Sequence, residues 1–505
     1  MPDPAGLRQA ILSGRHTRPD TDAVRARLEQ FLGHDRGALA SWFGADAVAV
    51  IRRDPARLRY LIDRDLAQIE ALISDQLDAV LHHPGLQRLE GSWRGLAWLV
   101  EGIEPQQRLK ISVLSASWRE LDRDLARVSE FDQSNLFRMV YENEFGHAGG
   151  EPFGLLLIDH EVRHRPDRAT PRDLAPVDDV SVMTMLSAIA AAAFAPIVLA
   201  ASPALLGVDR FEDLVLSNDV TAVMADEEHA RWRAATTRED MRFVCLTMPR
   251  ILARPRWTGF PDHAGGLRHE EQAQSTAERC WFVAGYAFAA VVARAHIAHN
   301  WPADVRGVSP DRVGGGLVLG LPEEPFVLGA VTAWPRASLS LGLTDTQERA
   351  LVTAGLMPLN TLPHGEAAFA AVHSVQPVPA MPRFPAAADA NRRISGQISA
   401  MLCVSRFAHY IKVIGRDMTG ARYTAEDVER RLQRWLARYS NANDDTDADS
   451  RARYPLRMGQ VKVHDVEGRP GSFGCVIHLQ PHYQLDDISA TFRLVTSFAT
   501  APAAA

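Results

Sequence analysis

From Pro55 onward, apolar residues recur at three- and four-residue steps: Leu58, Leu61, Ile62, Leu66, Ile69, Leu72, Ile73, Leu77 and Val80. That spacing lines one face of an α-helix, and the run His82, His83, Pro84 ends it. A second helix is predicted from about 86 to 100, with Leu86, Leu89, Trp93, Leu96 and Val100 on one face and Glu90 placed four residues before Arg94, the spacing of a helical ion pair. The period then changes. Leu109, Ile111 and Val113 alternate within 108–117, the mark of a strand with one buried face, and a charged helix follows from Trp118. The apolar strand FGLLLID (153–159), a helix from about 179 to 195 and the strand PIVLAAS come next. Strand and helix in alternation predict a parallel α/β sheet.

The first forty or so residues are polar, carry Gly and Pro, and show only short apolar periodicity. They read as an arm, residues 1–54, that packs poorly on its own body and is either disordered or held by a neighbour. At 375–390 the chain reads VQPVPAMPRFPAAADA, where four prolines rule out a helix or a central strand. The expected division is an N-terminal arm (1–54), a large α/β domain (55–375) with a mixed sheet and flanking helices, a proline-rich linker (376–390) and a C-terminal α+β domain (391–505). Beyond the linker the pattern predicts a helix containing SRFAHYIKVI, a second amphipathic helix at 425–439, an acidic loop (441–450), the hairpin VKVHDV–EGRPG–SFGCVIHLQP and a closing strand at 490–498. No internal repeat is visible.

A chain of 505 residues supports two or more hydrophobic cores. Its formal charge of −7 comes from interspersed acidic and basic residues, so no large basic field exists to hold nucleic acid or an anionic membrane. Cys245, Cys280, Cys403 and Cys475 lie far apart with no CxxC spacing, as suits buried thiols in the cytoplasm. The first residues lack the pattern of a secretory signal. Residues 185–208 carry no charge over a length that spans a bilayer, but they are mostly alanine and Pro196 divides them, which predicts a helix followed by a buried strand and no membrane insertion.

Several short motifs imitate catalytic sites. HEVRH (160–164) spells the HExxH of zinc metalloproteases, which needs both histidines on one helical face and the glutamate beside a zinc-bound water. Here the motif follows LLLID directly, with Pro166 and Pro171 close behind, so the histidines are expected at a strand end and turn. His82 and His83 are adjacent and point apart; His296 and His299 have no third ligand at suitable spacing. Gly314, Gly315 and Gly316 precede no Lys-Ser/Thr pair and read as a close-packed turn; no GxSxG is present. No cofactor and no catalytic residue are expected.

Two helices carry interaction signals. In SRFAHYIKVIGRD, Phe407, Ile411 and Ile414 form one apolar face, and Arg406, His409 and Lys412 lie on others. An ordinary core helix or one that organises subunit contacts both fit. In the helix at 425–439, Thr424 caps the start, Val428, Leu432, Trp435, Leu436 and Tyr439 make the buried face, and Arg430, Arg434 and Arg438 line another at i, i+4, i+8. A solvated basic face is the bland reading of that stripe; a track on a partner is the other.

LHHPGLQRLEGSWRGLAWLV (81–100), PRILARP (249–255), GGGLVLGLP (314–322), SRFAHYIKVIGRD (405–417) and LQPHYQL (479–485) together closely resemble the large subunit of the type VI secretion contractile sheath, the TssC/VipB family, in the same order from about residue 60 to the end. Trp257 and Thr258 depart from the tyrosine and glycine common there, and His160 stands where an aromatic residue is usual. The resemblance implies a cytoplasmic structural subunit, not an enzyme, whose C-terminal domain forms sheath. It implies pairing with a small sheath subunit (TssB/VipA type), self-assembly around an inner tube of hexamers (Hcp type), contact with baseplate components and indirect recycling by an AAA+ unfoldase (ClpV type). On that reading Arg430, Arg434 and Arg438 face the tube, Phe492 and Leu494 belong to an inter-protomer strand, and Arg406, His409 and Lys412 make subunit contacts. The competing readings are a cytoplasmic zinc-dependent hydrolase built on HEVRH and a generic assembly scaffold.

Overall fold

The structure is a computed structural model. It describes residues 5–14, 26, 28, 29, 31–33, 37–51, 53–104, 108–147, 149–166, 176–215, 219–259, 267–308, 312–328, 331–336, 338–362, 365–377, 396–418, 423–443, 447–466, 472–482 and 492–499. Most of the proline-rich stretch, part of the acidic loop and the hairpin turn EGRPG lie outside the described residues. The chain forms two compact units, one made of Met1–Glu90 with Arg254–Cys280 and the other of Gly91–Ala253 with Trp281–Ala505.

In the first unit, helices α1 (Ala5–Leu12), α2 (Ala38–Phe43) and α3 (Ala45–Ile51) accompany the long α4 (Pro55–Leu81). Asp54 caps α4 by accepting the Ala56 and Arg57 N–H groups, with Pro55 in the first turn where its missing N–H costs nothing. Residues expected to form an unpacked arm instead bury Leu7, Ala10, Ile11, Val48 and Ile51. The Arg8 guanidinium makes two bonds of 2.6 Å to the Asp65 carboxylate, and Trp42 Nε1 donates to it at 2.9 Å. A polar segment packs here because one buried carboxylate on α4 collects its donors; these hold the Asp65 pKa down at about 2, with burial opposing them. The apolar stripe of α4 is wider than this unit covers, and Leu66, Ile73, Leu77 and Val80 are exposed.

The second unit is built on a four-stranded parallel sheet in the order β1 (Leu156–Val162), β2 (Ile197–Ala201), β3 (Val244–Met248), β6 (Met357–Pro358). Helix α7 (Asp179–Ala193) contributes Val180, Met183, Leu186 and Ile189 to one core with Ile197, Leu199 and Ala201. Val198 points to the other face, toward Gly285 at the start of α8 (Gly285–His299). Helices on both faces explain why every residue of β2 and β3 is buried. The uncharged stretch at 185–208 is therefore the end of α7, the buried strand β2 and a short turn.

Two expectations fail here. Helix α5 (Pro84–Glu101) forms as predicted, but Leu89, Trp93 and Val100 of its apolar stripe are exposed, and it packs through Gly91, Gly95 and Leu99. A Cβ at Gly91 would stand 2.1 Å from the carbonyl oxygen of Trp281 in β5 (Trp281–Val283), and one at Gly95 would stand 2.6 Å from the Tyr286 ring. Glycine four residues apart lets the helix lie directly on backbone, which hydrophobic periodicity does not register. Glu90 meets Arg254 at 2.7 Å. The predicted strand at 108–117 joins no sheet among the described residues, although helix α6 (Trp118–Ala126) follows it as expected, started by a Ser117–Glu120 capping box.

The C-terminal part holds α9 (Ile398–Met418), α10 (Ala425–Ala437) and an antiparallel sheet β7 (Leu456–Asp465), β8 (Ser472–Pro481), β9 (Phe492–Ala499). Helix α9 is the one described helix long and apolar enough to cross a bilayer, and most of it is buried within the protein. All four cysteines are free and buried.

Candidate interaction surfaces

Helix α10 is fastened to the C-terminal sheet by its polar residues as well as its apolar ones. Thr424 and Asp427 form a reciprocal capping box. Val428, Leu432 and Leu436 are buried, Gln433 bonds both Gly459 O (2.8 Å) and Val461 N–H (2.9 Å), and the Val463 N–H donates to Glu429 at 2.9 Å. With one face so tied, Arg430, Arg434 and Arg438 are all exposed. Arg430 lies 3.9 Å from Asp427, a loose pair that leaves the guanidinium available.

On helix α9, His409 is buried and Arg406 and Lys412 are half-buried. His409 is buried with Nε2 3.0 Å from the Ala193 carbonyl, and burial pushes its pKa down to about 4 against the effect of that bond, so the imidazole is neutral. The Lys412 ammonium stands 4.9 Å from the ring centroids of Tyr141, Phe145 and Phe194, and Arg406 lies over Tyr410 at 4.6 Å. Arg416 adds a 2.7 Å bond to His147 O. These contacts clasp α9 to the segment at 141–147 and to the end of α7. Aromatic rings from other segments surround the Lys412 ammonium, and Tyr410 of the same helix holds Arg406. The apolar face meets Trp301, which stacks on Phe407 at 4.2 Å and meets Tyr439 edge-on at 4.9 Å.

Phe492 and Leu494 stand opposite Leu479 and Ile477 in the β9–β8 register. The expected strand is seated in its own chain's sheet, with β8 meeting one edge of its backbone. It is an outer strand, and no further strand is paired to it among the described residues.

The HEVRH residues diverge. His160 stacks on Trp118 at 4.0 Å and lies 3.3 Å from Asp179, the Glu161 carboxylate is held by two bonds from Arg250, and His164 stacks on His229 at 4.0 Å. Burial, and then the neighbouring His229, lower the His164 pKa to about 4. Neighbouring positions of a strand face opposite ways, so His160 and Glu161 do not share a site. Among the described residues no three His, Cys, Asp or Glu side chains are grouped to hold a metal. The glycine run is the close turn expected: Gly315 has φ +60°, its N–H donates to Asp304 at 2.9 Å, and a Cβ at Gly316 would stand 2.1 Å from Phe369 O.

Sequence reasoning missed an ionic cluster in the first unit. Arg254 of PRILARP bonds Glu90 of the LHHP string (2.7 Å) and Glu271 (2.5 and 3.3 Å). His82 lies 3.3 Å from Glu271, and Asp78 accepts the Gln272 N–H while standing 3.4 Å from His269. Burial alone would raise the Glu271 pKa; Arg254 and the Trp257 N–H outweigh it and hold it below the usual value. The visible signal was Glu90 and Arg254, opposite charges in two of the quoted strings.

Tied helices, a buried ionic hub and an exposed charge stripe are the build of a structural protein. Residues 63–376 match the family model described as EvpB/VC_A0108, tail sheath N-terminal domain (VipB), and residues 387–498 match its tail sheath gpW/gp25-like domain. The type VI secretion system sheath protein TssC1 of Pseudomonas aeruginosa is 32% identical over 446 residues, covering 87% of this chain and 86% of the relative. A chain of the anti-feeding prophage baseplate, seen by cryo-EM, aligns at TM-score 0.33 and 11% identity, covering 80% of this chain and 83% of that one. The chain belongs to the type VI secretion tail-sheath family and is a structural subunit of a contractile sheath.

Proposed function

We propose that this chain is the large, non-enzymatic sheath subunit of a cytoplasmic assembly, that it pairs with a small sheath subunit, and that the polymer surrounds an inner tube of hexameric rings and drives it by contraction. Baseplate components seat one end, and an AAA+ unfoldase acts indirectly on contracted sheath. The energy of such a device resides in interfaces with two packings, so the subunit needs no reactive group. The domain boundary falls within 376–390, and the C-terminal part makes sheath-to-sheath contact through the outer strand β9, with Phe492 and Leu494, by main-chain pairing.

The observation that carries this reading is the exposed arginine stripe on a helix whose other face is fixed to a sheet. Such a stripe is suited to carboxylates repeated along a tube. Each exposed pair contributes only about 0.2–1 kcal/mol, so one substitution is nearly silent and repetition along the polymer supplies the effect. Electron microscopy of the chain co-expressed with the small subunit tests the reading: tubes are expected. Reversal of Arg430, Arg434 and Arg438 to Glu should preserve pairing and yield empty sheaths. A monomer indifferent to the small subunit overturns the pairing, and filled sheaths from the triple variant overturn the tube-facing role.

A further inference from the structure

Residues 108–116 read RLKISVLSA, with Leu109, Ile111 and Val113 alternating, and form no helix and no strand. Every residue from 110 to 117 is exposed, Ile111, Val113 and Leu114 by 41, 64 and 54%. Among the described residues, no backbone N–H or C=O of 108–116 has a hydrogen-bond partner. The segment has the composition of a strand and an unpaired backbone, but no sheet. Its far end is anchored: Ser117 caps α6, and Trp118 donates to Asp179 at 2.8 Å while stacking on His160 of β1, an outer strand of the parallel sheet. A strand pre-set at one end loses less freedom on pairing than a free peptide.

We propose that 108–116 is an intermolecular strand, paired in the assembled sheath with a strand of the small sheath subunit. Pairing of the segment with itself in a second copy fits poorly: antiparallel self-pairing makes a closed two-fold contact, which sets two copies head to head, whereas a sheath that drives in one direction repeats its copies in one orientation. Charge narrows the occupant further. Arg108 and Lys110 are the only charged residues in the segment, and Lys110 already draws Glu151 to 3.5 Å, so the complement is a strand with alternating apolar residues and acidic side chains at the end that meets them. The inference rests on the proposed pairing with the small subunit.

Hydrogen exchange with mass spectrometry, on the full chain alone and co-expressed with the small subunit, tests it. Amides 109–115 should exchange freely in the chain alone and about a hundredfold or more slowly in the complex. A strand paired along one edge directs only alternate N–H groups at its partner, so one of Ile111→Pro and Ser112→Pro should cut recovery of complex at least about tenfold while the other is tolerated. Neither should change the thermal unfolding of the chain alone. A complex that forms with 109–115 unprotected, or that tolerates both prolines, overturns this inference and leaves the pairing standing. No complex from the unaltered chain overturns both. Protection that grows with concentration in the chain alone assigns the strand to a second copy and overturns the occupant.

Discussion

Replacing Arg254 by Met tests whether the ionic hub holds the first unit together. Arg254 and Glu271 are nearly inaccessible, with 7 and 1% of their side-chain surfaces exposed, and Glu90 retains 16%. The substitution leaves Glu271 with the Trp257 N–H at 2.9 Å and His82 at 3.3 Å, without its guanidinium partner. Removing one member of a buried pair costs about 3–5 kcal/mol, because a charge stays buried without compensation. That is roughly two to three and a half powers of ten in the local opening equilibrium, read as faster hydrogen exchange in 78–90 and 254–280. Arg254→Lys should fall between, since a point charge does not reproduce a fork shared by two carboxylates. The pH dependence has a definite sign. In the unaltered chain the Glu271 pKa is depressed, so its contribution is present above the unfolded carboxylate value of about 4.3 and is lost as pH falls through the lower folded value. Without Arg254 burial dominates, the pKa rises, and acid relieves the penalty; the gap between the two proteins is therefore widest near neutral pH and narrows toward about pH 4. Equal exchange in the two proteins at pH 7, or a gap that widens in acid, refutes the reasoning.

Gly91→Ala should destabilise by about 3 kcal/mol, at the upper end for overpacking because the clash is with the Trp281 backbone, whereas Gly102→Ala meets nothing closer than 3.5 Å and should be near neutral; thermal melts compare them. Trp301→Ala removes a ring packed between α9 and α10 and should cost about 3–5 kcal/mol by denaturant unfolding, with Trp301→Phe costing less. Alanine at both His160 and His164 should leave secretion intact, and elemental analysis should find less than one zinc per chain; stoichiometric zinc lost in that variant would revive the hydrolase.

Much of the fold was legible because its elements are decided locally. Thr424 and Asp427 announce α10, Pro196 separates α7 from β2, and the glycine run marks a turn that tolerates no Cβ at Gly316. The misreadings concern which face an element uses. The Leu89, Trp93 and Val100 stripe promised a buried face, yet α5 lies on its glycines, since close approach of backbone leaves no hydrophobic signature. The aromatic surroundings of Lys412 were not legible because the rings, Tyr141, Phe145 and Phe194, lie more than two hundred residues upstream. The ionic hub was illegible for the same reason: Glu90 and Arg254 are 164 positions apart, and charge alone does not name its partner.

The apolar residues left outside bear on what the chain is for. Hydrophobic patterning is selected by burial wherever burial takes place, in the chain's own core or against another chain. In a monomer the two coincide, and the stripe read from sequence is the stripe found buried. Here they separate at specific places: Leu66, Ile73, Leu77 and Val80 on α4, Leu89, Trp93 and Val100 on α5, and Ile111, Val113 and Leu114 in the strand without a sheet. The exposed residues of α4 and α5 keep helical period, and Ile111 and Val113 alternate as in a strand. In a subunit of a sheath polymer, apolar residues that keep their period while facing outward are the expected imprint of surfaces completed by other subunits.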